Sequence, residues 1–369
     1  MLRQILALIL KELLAVLRDP RSRMVLIGPP LIQLVVFGYA ATFDLNHVPI
    51  AIYDQDHSQA SRDLIARFAL SPTFTVKDVL DSDRRIDELI DSRQVQMVLV
   101  IDRRFTRDLL TRQAAPVQVI LDGRNSNTAL LIEGYVNSIV SGFALGWAQE
   151  HGAGPPPATL NIRARYNATL SSRWFIVPGI VALLTEVETL LVVGLSVARE
   201  REMGTFDQLL VTPLRPIDIL IGKGLPGLII GMVEASAVIA AATLWFEVPL
   251  RGGLIALYVG LALFILAITG IGLAISSLVA TQQQALLGAF LFLVPSIILS
   301  GFATPIANMP GWVQALTVIN PMRYFLVIVR GVFLEGAGLA SIASQLWPMA
   351  LIGVITLAAA GWLFRKRVT

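Results

Sequence analysis

Arg199-Glu200-Arg201-Glu202-Met203-Gly204-Thr205-Phe206-Asp207-Gln208-Leu209-Leu210-Val211-Thr212-Pro213-Leu214-Arg215-Pro216 is a short charged island between two long apolar runs. Gly204 frees the backbone, and Thr205 with Gln208 three residues later has the spacing of a capping box, so a helix of about two turns is expected to start there. Pro213 ends it. A membrane protein presents such a capped and stopped segment to a soluble partner, and residues 199–216 are expected to form a cytoplasmic coupling helix that moves the spans on either side.

The composition agrees. With 55% hydrophobic and 15% charged residues over 369 positions, and a mean hydropathy of +0.70, the chain is too apolar for an ordinary soluble enzyme. Apolar runs near or above the roughly 20 residues needed to cross a bilayer predict six transmembrane helices, at about 24–43, 174–197, 225–246, 252–278, 285–302 and 344–364. Ahead of them, residues 1–23 read as an amphipathic interfacial helix. Leu2, Ile5, Leu6, Ile9, Leu13, Val16 and Leu17 share one face, and Gln4, Lys11, Glu12 and Arg18 the other. Lys11 and Glu12 interrupt the run, so it is not read as a cleaved signal peptide.

Residues 44–170 interrupt the apolar pattern. Strand-like segments at 48–53, 74–76, 95–101 and 117–121 alternate with helix-like ones at 58–69 and 83–92, and a long helix follows at 125–149. This predicts a small α/β domain outside the membrane, inserted between the first and second spans. The remainder, 171–369, is a five-helix transmembrane region. Within it, 303–338 is broken by Pro305, Pro310, Pro321, Arg323, Arg330 and Glu335 into pieces too short to cross, so outer re-entrant helices are expected.

Arginine and lysine test the orientation. Arg3, Lys11, Arg18, Arg21, Arg23, Arg199, Arg201, Arg215, Lys223, Arg365, Lys366 and Arg367 fall on the proposed inner side. The short outer segments carry Arg251, Arg323 and Arg330. Both termini are therefore expected in the cytoplasm, and 44–170 outside it. No internal repeat is evident, so the symmetry of a transport pathway would come from a second subunit.

Three carboxylates fall inside spans. Glu186, Glu188 and Glu234 lie roughly 15 to 18 Å from the cytoplasmic ends, so one shared polar layer near the bilayer midplane is expected. Such groups are costly, and they face a substrate path or bond neighbouring helices as protonated carboxyls. Glu186 and Glu188 are two apart and point to different faces.

Other motifs fail on context. Gly222-Lys223-Gly224-Leu225-Pro226-Gly227 matches G-x-G-x-x-G, but no strand precedes it and a span follows. Lys223 is followed by glycine, so it is not the lysine of an ATP-binding P-loop. Gly227 and Gly231 have GxxxG spacing, a weak helix-packing signal. His47, His57 and His151 lack metal-ligand spacing, there is no cysteine, and no serine sits in a nucleophile elbow. No catalytic, cofactor or metal residues are expected, and the small basic excess gives no reason to invoke nucleic acid.

Spans, insert and charged island together resemble the permease subunits of ABC-2 type ABC transporters, in particular the multidrug-exporter branch with a large extracytoplasmic domain. The residues that carry the likeness are the 199–213 stretch, similar to a family signature E-x-G-T-x-x-x-L-x-x-x-P, then Asn320-Pro321-Met322-Arg323-Tyr324-Phe325 with Arg330-Gly331, and Trp174-Phe175-Ile176-Val177-Pro178-Gly179. The resemblance implies that Glu202, Gly204, Thr205, Phe206, Leu209 and Pro213 contact an ATPase. It also implies that Asn320, Pro321, Arg323 and Tyr324 belong to an outer gate.

The expected protein is thus the permease of an ATP-driven exporter in a bacterial inner membrane, moving amphipathic or drug-like substrates. Its implied partners are a pair of ATPase subunits that bind ATP and Mg, a second permease (identical or related), membrane lipid, and as a further candidate a periplasmic adaptor. Export of a lipid or lipid-linked glycan is the alternative cargo. A membrane sensor or structural anchor with a ligand- or protein-binding outer domain is the alternative class.

Overall fold

The computed structural model describes residues 2–18, 20–40, 45–111, 113–124, 126–152, 166–167, 171–205 and 215–368. The chain divides into two compact units, one of Met1–Thr42 with Ala164–Thr369 and one of Phe43–Arg163.

The smaller unit is built on a sheet of β1 (Val48–Asp54), β2 (Phe74–Val79), β3 (Met97–Ile101) and β4 (Val117–Leu121) in the order β2-β1-β3-β4. β1 pairs parallel with β2 and β3, and β4 closes the edge antiparallel to β3. Alternation along the strands sends Ile50, Met97, Leu99 and Ile101 to one face and Ala51 and Val98 to the other. Both faces are covered. α3 (Gln59–Ala69), α5 (Phe105–Leu110) and α6 (Ser126–Glu150) bring Leu64, Phe68, Phe105, Ile132, Val136 and Phe143 to the first face. α4 (Arg84–Asp91) brings Ile86 and Leu89 to the second. Ser58 starts α3 as its N-cap, accepting from Ser61 N–H while the Ser61 hydroxyl accepts from Ser58 N–H, each at 3.1 Å.

The larger unit is α-helical. α1 (Leu2–Arg18) and α2 (Pro20–Ala40) precede α7 (Ser172–Glu202), α8 (Pro216–Leu244), α9 (Leu254–Leu278), α10 (Gln282–Leu299) and α13 (Leu339–Val368). Between α10 and α13, the chain forms α11 (Gly311–Leu316), α12 (Pro321–Arg330) and a π-helical turn, Gly331–Glu335. Residues Gly311–Ile319 and Pro321–Glu335 meet at 85°. α12 then turns into the bundle, where Met322, Phe325, Leu326, Ile328 and Val329 are buried and Phe325 stacks on Phe264 at 4.5 Å.

Among the described residues, six helices are long and apolar enough to cross a membrane: α7, α8, α9, α10, α13 and the Thr128–Glu150 part of α6. The protein is an α-helical integral membrane protein carrying a small α/β unit. The six differ in one member from the six spans expected from the sequence. α6 qualifies by composition, yet it packs Ile132, Val136 and Phe143 into the core of the sheet. The expected first span is α2, whose apolar part, Leu26–Tyr39, is shorter than the roughly 20 residues that span a bilayer. α2 also continues through Pro29 and Pro30 as one helix.

Small residues set the spacing of α7 and α8. A Cβ on Gly227 would lie 2.2 Å from Val193, and one on Gly231 would lie 2.6 Å from the Thr189 hydroxyl. The GxxxG spacing is therefore a true crossing point. Gly227→Ala is expected to cost about 1–2 kcal/mol through overpacking, read as a lower unfolding temperature in detergent.

Candidate functional site

The connection between α7 and α8 is clamped at its base by four charged side chains. Lys223, seven residues into α8, is fully buried. Its ammonium lies 2.7 Å from Glu200 Oε2 on α7 and 3.2 Å from Glu12 Oε1 on α1, and it donates to the Ser196 carbonyl at 3.4 Å. Lys11 completes the set, 2.7 Å from Glu200 Oε1. Two cations and two carboxylates cancel, which is the condition for burying charge at tolerable cost. Burial pulls the Lys11 pKa down, but the hydrogen bond and charge of Glu200, with Glu12, outweigh it and hold it above its ordinary value. This raised lysine contributes stability that is complete at neutral pH and lost only as pH climbs through its raised value.

Sequence periodicity put Lys11 and Glu12 on the polar face of α1, away from its apolar side. The structure instead buries Leu8 and Ile9 and turns the charged pair toward α7 and α8. Leu6, Leu10, Leu14 and Leu17 form a second, exposed apolar stripe. α1 approaches α8 closely because residue 222 is glycine: a Cβ there would sit 2.3 Å from Leu8.

Gly204 has a different task from the one expected. It adopts φ +70°, donates to the Arg201 carbonyl at 3.1 Å, and is followed by Thr205 N–H donating to the Glu200 carbonyl at 3.0 Å. This double return is a Schellman motif that ends α7. The Thr205 hydroxyl also donates to the Glu200 carbonyl, at 3.3 Å. Its expected capping partner Gln208 lies outside the described residues, as do Phe206, Leu209 and Pro213, so the predicted helix there is not described. Glu202 accepts from the Gln282 backbone at 2.9 Å and from its side-chain amide at 3.2 Å, tying the end of α7 to the start of α10. On the far side, Asp218 accepts from Arg215 N–H at 3.1 Å, with Pro216 at the first position of α8. Gly204→Ala is expected to destabilise by about 1 kcal/mol, because only glycine takes this φ freely; a denaturation midpoint would read it.

The three intramembrane carboxylates fall into two groups rather than one layer. Glu186 is completely buried between α7, α10 and the start of α12. The Ser296 hydroxyl lies 2.6 Å from Glu186 Oε1 and 3.0 Å from Asn320 Oδ1. Asn320 is fixed in orientation, since it donates to the Ser296 carbonyl at 2.7 Å and accepts from Met322 N–H at 3.0 Å. A serine hydroxyl carries one proton and here faces two acceptors. The count closes when Glu186 is in its acid form and donates to Ser296, which donates to Asn320. Ser296 stands three residues before the end of α10, so this group lies toward the end of the bundle that carries α11 and α12.

Glu188 turns to the α8 side, close enough to Glu234 for the two charges to repel. Both Glu234 carboxyl oxygens are shielded from solvent and have no hydrogen-bond partner among the described residues.

The expected gate residues split similarly. Asn320 is a buried N-cap and a member of the Glu186 group, with Pro321 behind it at the first position of α12. Arg323 bonds the Thr317 hydroxyl, and Tyr324 OH donates to the Val318 carbonyl at 2.8 Å; both pin the turn ahead of α12. Sequence reasoning missed Ser296, a lone hydroxyl in an apolar helix. It also missed the contact of Arg330, whose guanidinium lies 3.8 Å over the Phe175 ring.

Residues 22–362 match the model of the ABC-2 family transporter protein. The chain belongs to the ABC-2 transporter family. It is 41% identical over the full length of both chains to the probable multidrug ABC transporter permease YbhR of Escherichia coli K12. It is 34% identical to the probable multidrug ABC transporter permease YbhS of the same strain, over 90% of this chain and 89% of that one. The inner membrane transport permease YhhJ, also from that strain, is 28% identical over 100% of this chain and 98% of its own. This ABC-2 permease is thus the membrane subunit of an ABC transporter and a multi-pass inner-membrane protein, and its family implies an ATPase partner.

Proposed function

We propose that this permease exports cationic or otherwise amphipathic drug-like molecules, driven by a separate pair of ATPase subunits that bind ATP and Mg. The observation that carries the reading is the charge cluster of Lys223, Glu200, Glu12 and Lys11, which joins α1, α7 and α8 at the foot of the 203–215 connection. A push on that connection would move three helices as one body. Glu202, Gly204, Thr205, Phe206, Leu209 and Pro213 are the proposed ATPase contacts. Distribution of Lys and Arg supports cytoplasmic termini, with the α/β unit on the opposite side. The names of the YbhR and YbhS relatives support a drug-like cargo. A second permease, identical or related, completes the pathway. Glu234 and Glu188 are its proposed cation-attracting pair, and Asn320, Pro321, Arg323 and Tyr324 hold its outer end.

The test is co-purification with an ABC ATPase subunit co-expressed from the same genome, followed by ATP hydrolysis in proteoliposomes. Hydrolysis should rise with an amphipathic cation, and changing Leu209 to Asp should abolish co-purification while leaving the permease folded. A permease that neither binds nor stimulates such an ATPase would overturn the reading.

A further inference from the structure

The last turn of α7 holds more than the charge cluster. Arg201 and Glu202, the final two residues of that helix, grip the short turn between α9 and α10 from its two sides. The Arg201 guanidinium donates to the Ser277 and Val279 carbonyls, each at 3.0 Å, where α9 ends. Glu202 accepts from the Gln282 N–H and side-chain amide, where α10 begins. A cation on the last carbonyls of one helix and a carboxylate on the first N–H of the next both suit the helix dipoles. Higher in the bundle, the Ser276 hydroxyl accepts from Val197 and Ala198 N–H at 3.2 Å each, which fixes α9 along α7. α10 itself buries a narrow stripe of Ala285, Ala289, Leu293 and Ser296, whereas Leu287, Phe290 and Leu291 are more than half exposed. A helix with so few side contacts passes a displacement from one end to the other. Ser296 lies roughly 21 Å along it from Gln282, and there the Ser296 carbonyl accepts from the amide of Asn320, the N-cap of α12.

We infer that Arg201 and Gln282 are positioning residues for transport: together with Glu202 they pass a displacement of the 203–215 connection into α10, which carries it to the turn ahead of α12. The inference rests on the proposed drive by an ATPase and adds the route by which that drive reaches the outer end. The charge cluster joins the connection to α1, α7 and α8, and this second grip adds α9 and α10. Polar bonds at both ends of α10, with a thin apolar stripe between them, form the contiguous chain of contacts that such a route requires.

The chain has no cysteine, so Met322→Cys, at a fully buried position in the first turn of α12, reports by maleimide labelling whether that turn opens. In proteoliposomes with an ABC ATPase subunit, trapping with ATP, Mg and vanadate should change its labelling rate at least about fivefold. Gln282→Pro removes both bonds to Glu202 and still suits the helix, because proline is favoured at the first position and Thr281 before it is already extended, at φ −125° and ψ 157°. Combined with Arg201→Met, it should abolish the labelling change and lower export at least about tenfold, while co-purification and basal ATP hydrolysis stay within about twofold. Arg201→Lys, which keeps a cation at the end of α9, should retain most of the response. A labelling change that survives in the double variant overturns the inference and leaves the ATPase reading standing, as does an unresponsive Met322→Cys whose hydrolysis is intact. Loss of ATPase binding in step with the labelling change would make the grip a folding contact and overturn the inference as well. Should the double variant not assemble, Gln282→Pro alone decides: a response at least halved supports the route, and an unchanged one overturns it. If the otherwise unaltered complex neither assembles nor hydrolyses ATP, the ATPase reading falls and the inference with it.

Discussion

Lys223→Ala should lower the stability of the permease by about 3–5 kcal/mol, the cost of removing one partner from a buried ion pair and leaving the other uncompensated. The burial decides the magnitude. The Lys223 side chain is 0% exposed and that of Glu200 6% exposed, so water cannot take over the lost contact, whereas an exposed pair would contribute well under 1 kcal/mol. Lys11 remains 2.7 Å from Glu200, but its side chain is 55% exposed and reaches the opposite carboxylate oxygen. Glu12 loses its 3.2 Å contact as well, so α1 should loosen along with α7. Thermal unfolding in detergent measures the first effect, and protease sensitivity of the N-terminal helix measures the second. The double variant Lys223→Met with Glu200→Leu removes both charges of the closest pair and leaves Glu12 to Lys11; it should recover most of the loss. A loss below about 1 kcal/mol in Lys223→Ala would mean that the cluster is solvated and clamps nothing.

That cluster shows where the sequence stops being legible. Five of the spans and the strands of the α/β unit could be read because each rests on local pattern: apolar length and period-two alternation. Lys11 and Glu12 could not, because a helical wheel knows only the helix's own polarity. α1 faces another helix through Leu8, Ile9 and Glu12, so the wheel mistook the packed edge that carries Glu12 for a solvated face. Gly222-Lys223-Gly224 looked like a failed nucleotide motif. It is instead a packing device, with Gly222 admitting Leu8 and Lys223 reaching two carboxylates. Gly204 was legible as a backbone exception, but its φ serves the end of α7 through bonds to Arg201 and Glu200, an assignment that spacing alone does not settle. Glu186, Glu188 and Glu234 were visible as costly groups in apolar runs. Their separation into two groups depends on Ser296 and Asn320, which are 110 and 134 positions from Glu186 and are brought together only by tertiary packing.

The two carboxylate groups should respond oppositely to removal of charge. Glu186 acts as a hydrogen-bond donor in the Ser296–Asn320 chain, and an amide can donate in its place, so Glu186→Gln should fold and export cations much as the unaltered protein does. Glu186→Leu removes the donor altogether and should cost about 1–3 kcal/mol for the orphaned Ser296 acceptor. Glu234 has no such partner. Its oxygens are shielded and have no hydrogen-bond partner among the described residues, and two carboxylates that close would repel each other. A cation entering between α7 and α8 would relieve that repulsion, an attraction that at 4 Å is of order 4 kcal/mol near a protein surface. Glu234→Gln should therefore reduce export of an amphipathic cation about tenfold or more, a loss of only 1.4 kcal/mol from that attraction, while leaving a neutral amphiphile of similar size unaffected. Transport into inverted vesicles of matched fluorescent cationic and neutral compounds reads both. Equal losses for the two compounds would make Glu234 a packing residue, and a loss in Glu186→Gln confined to the cation would move the cation site to the α7–α10 contact.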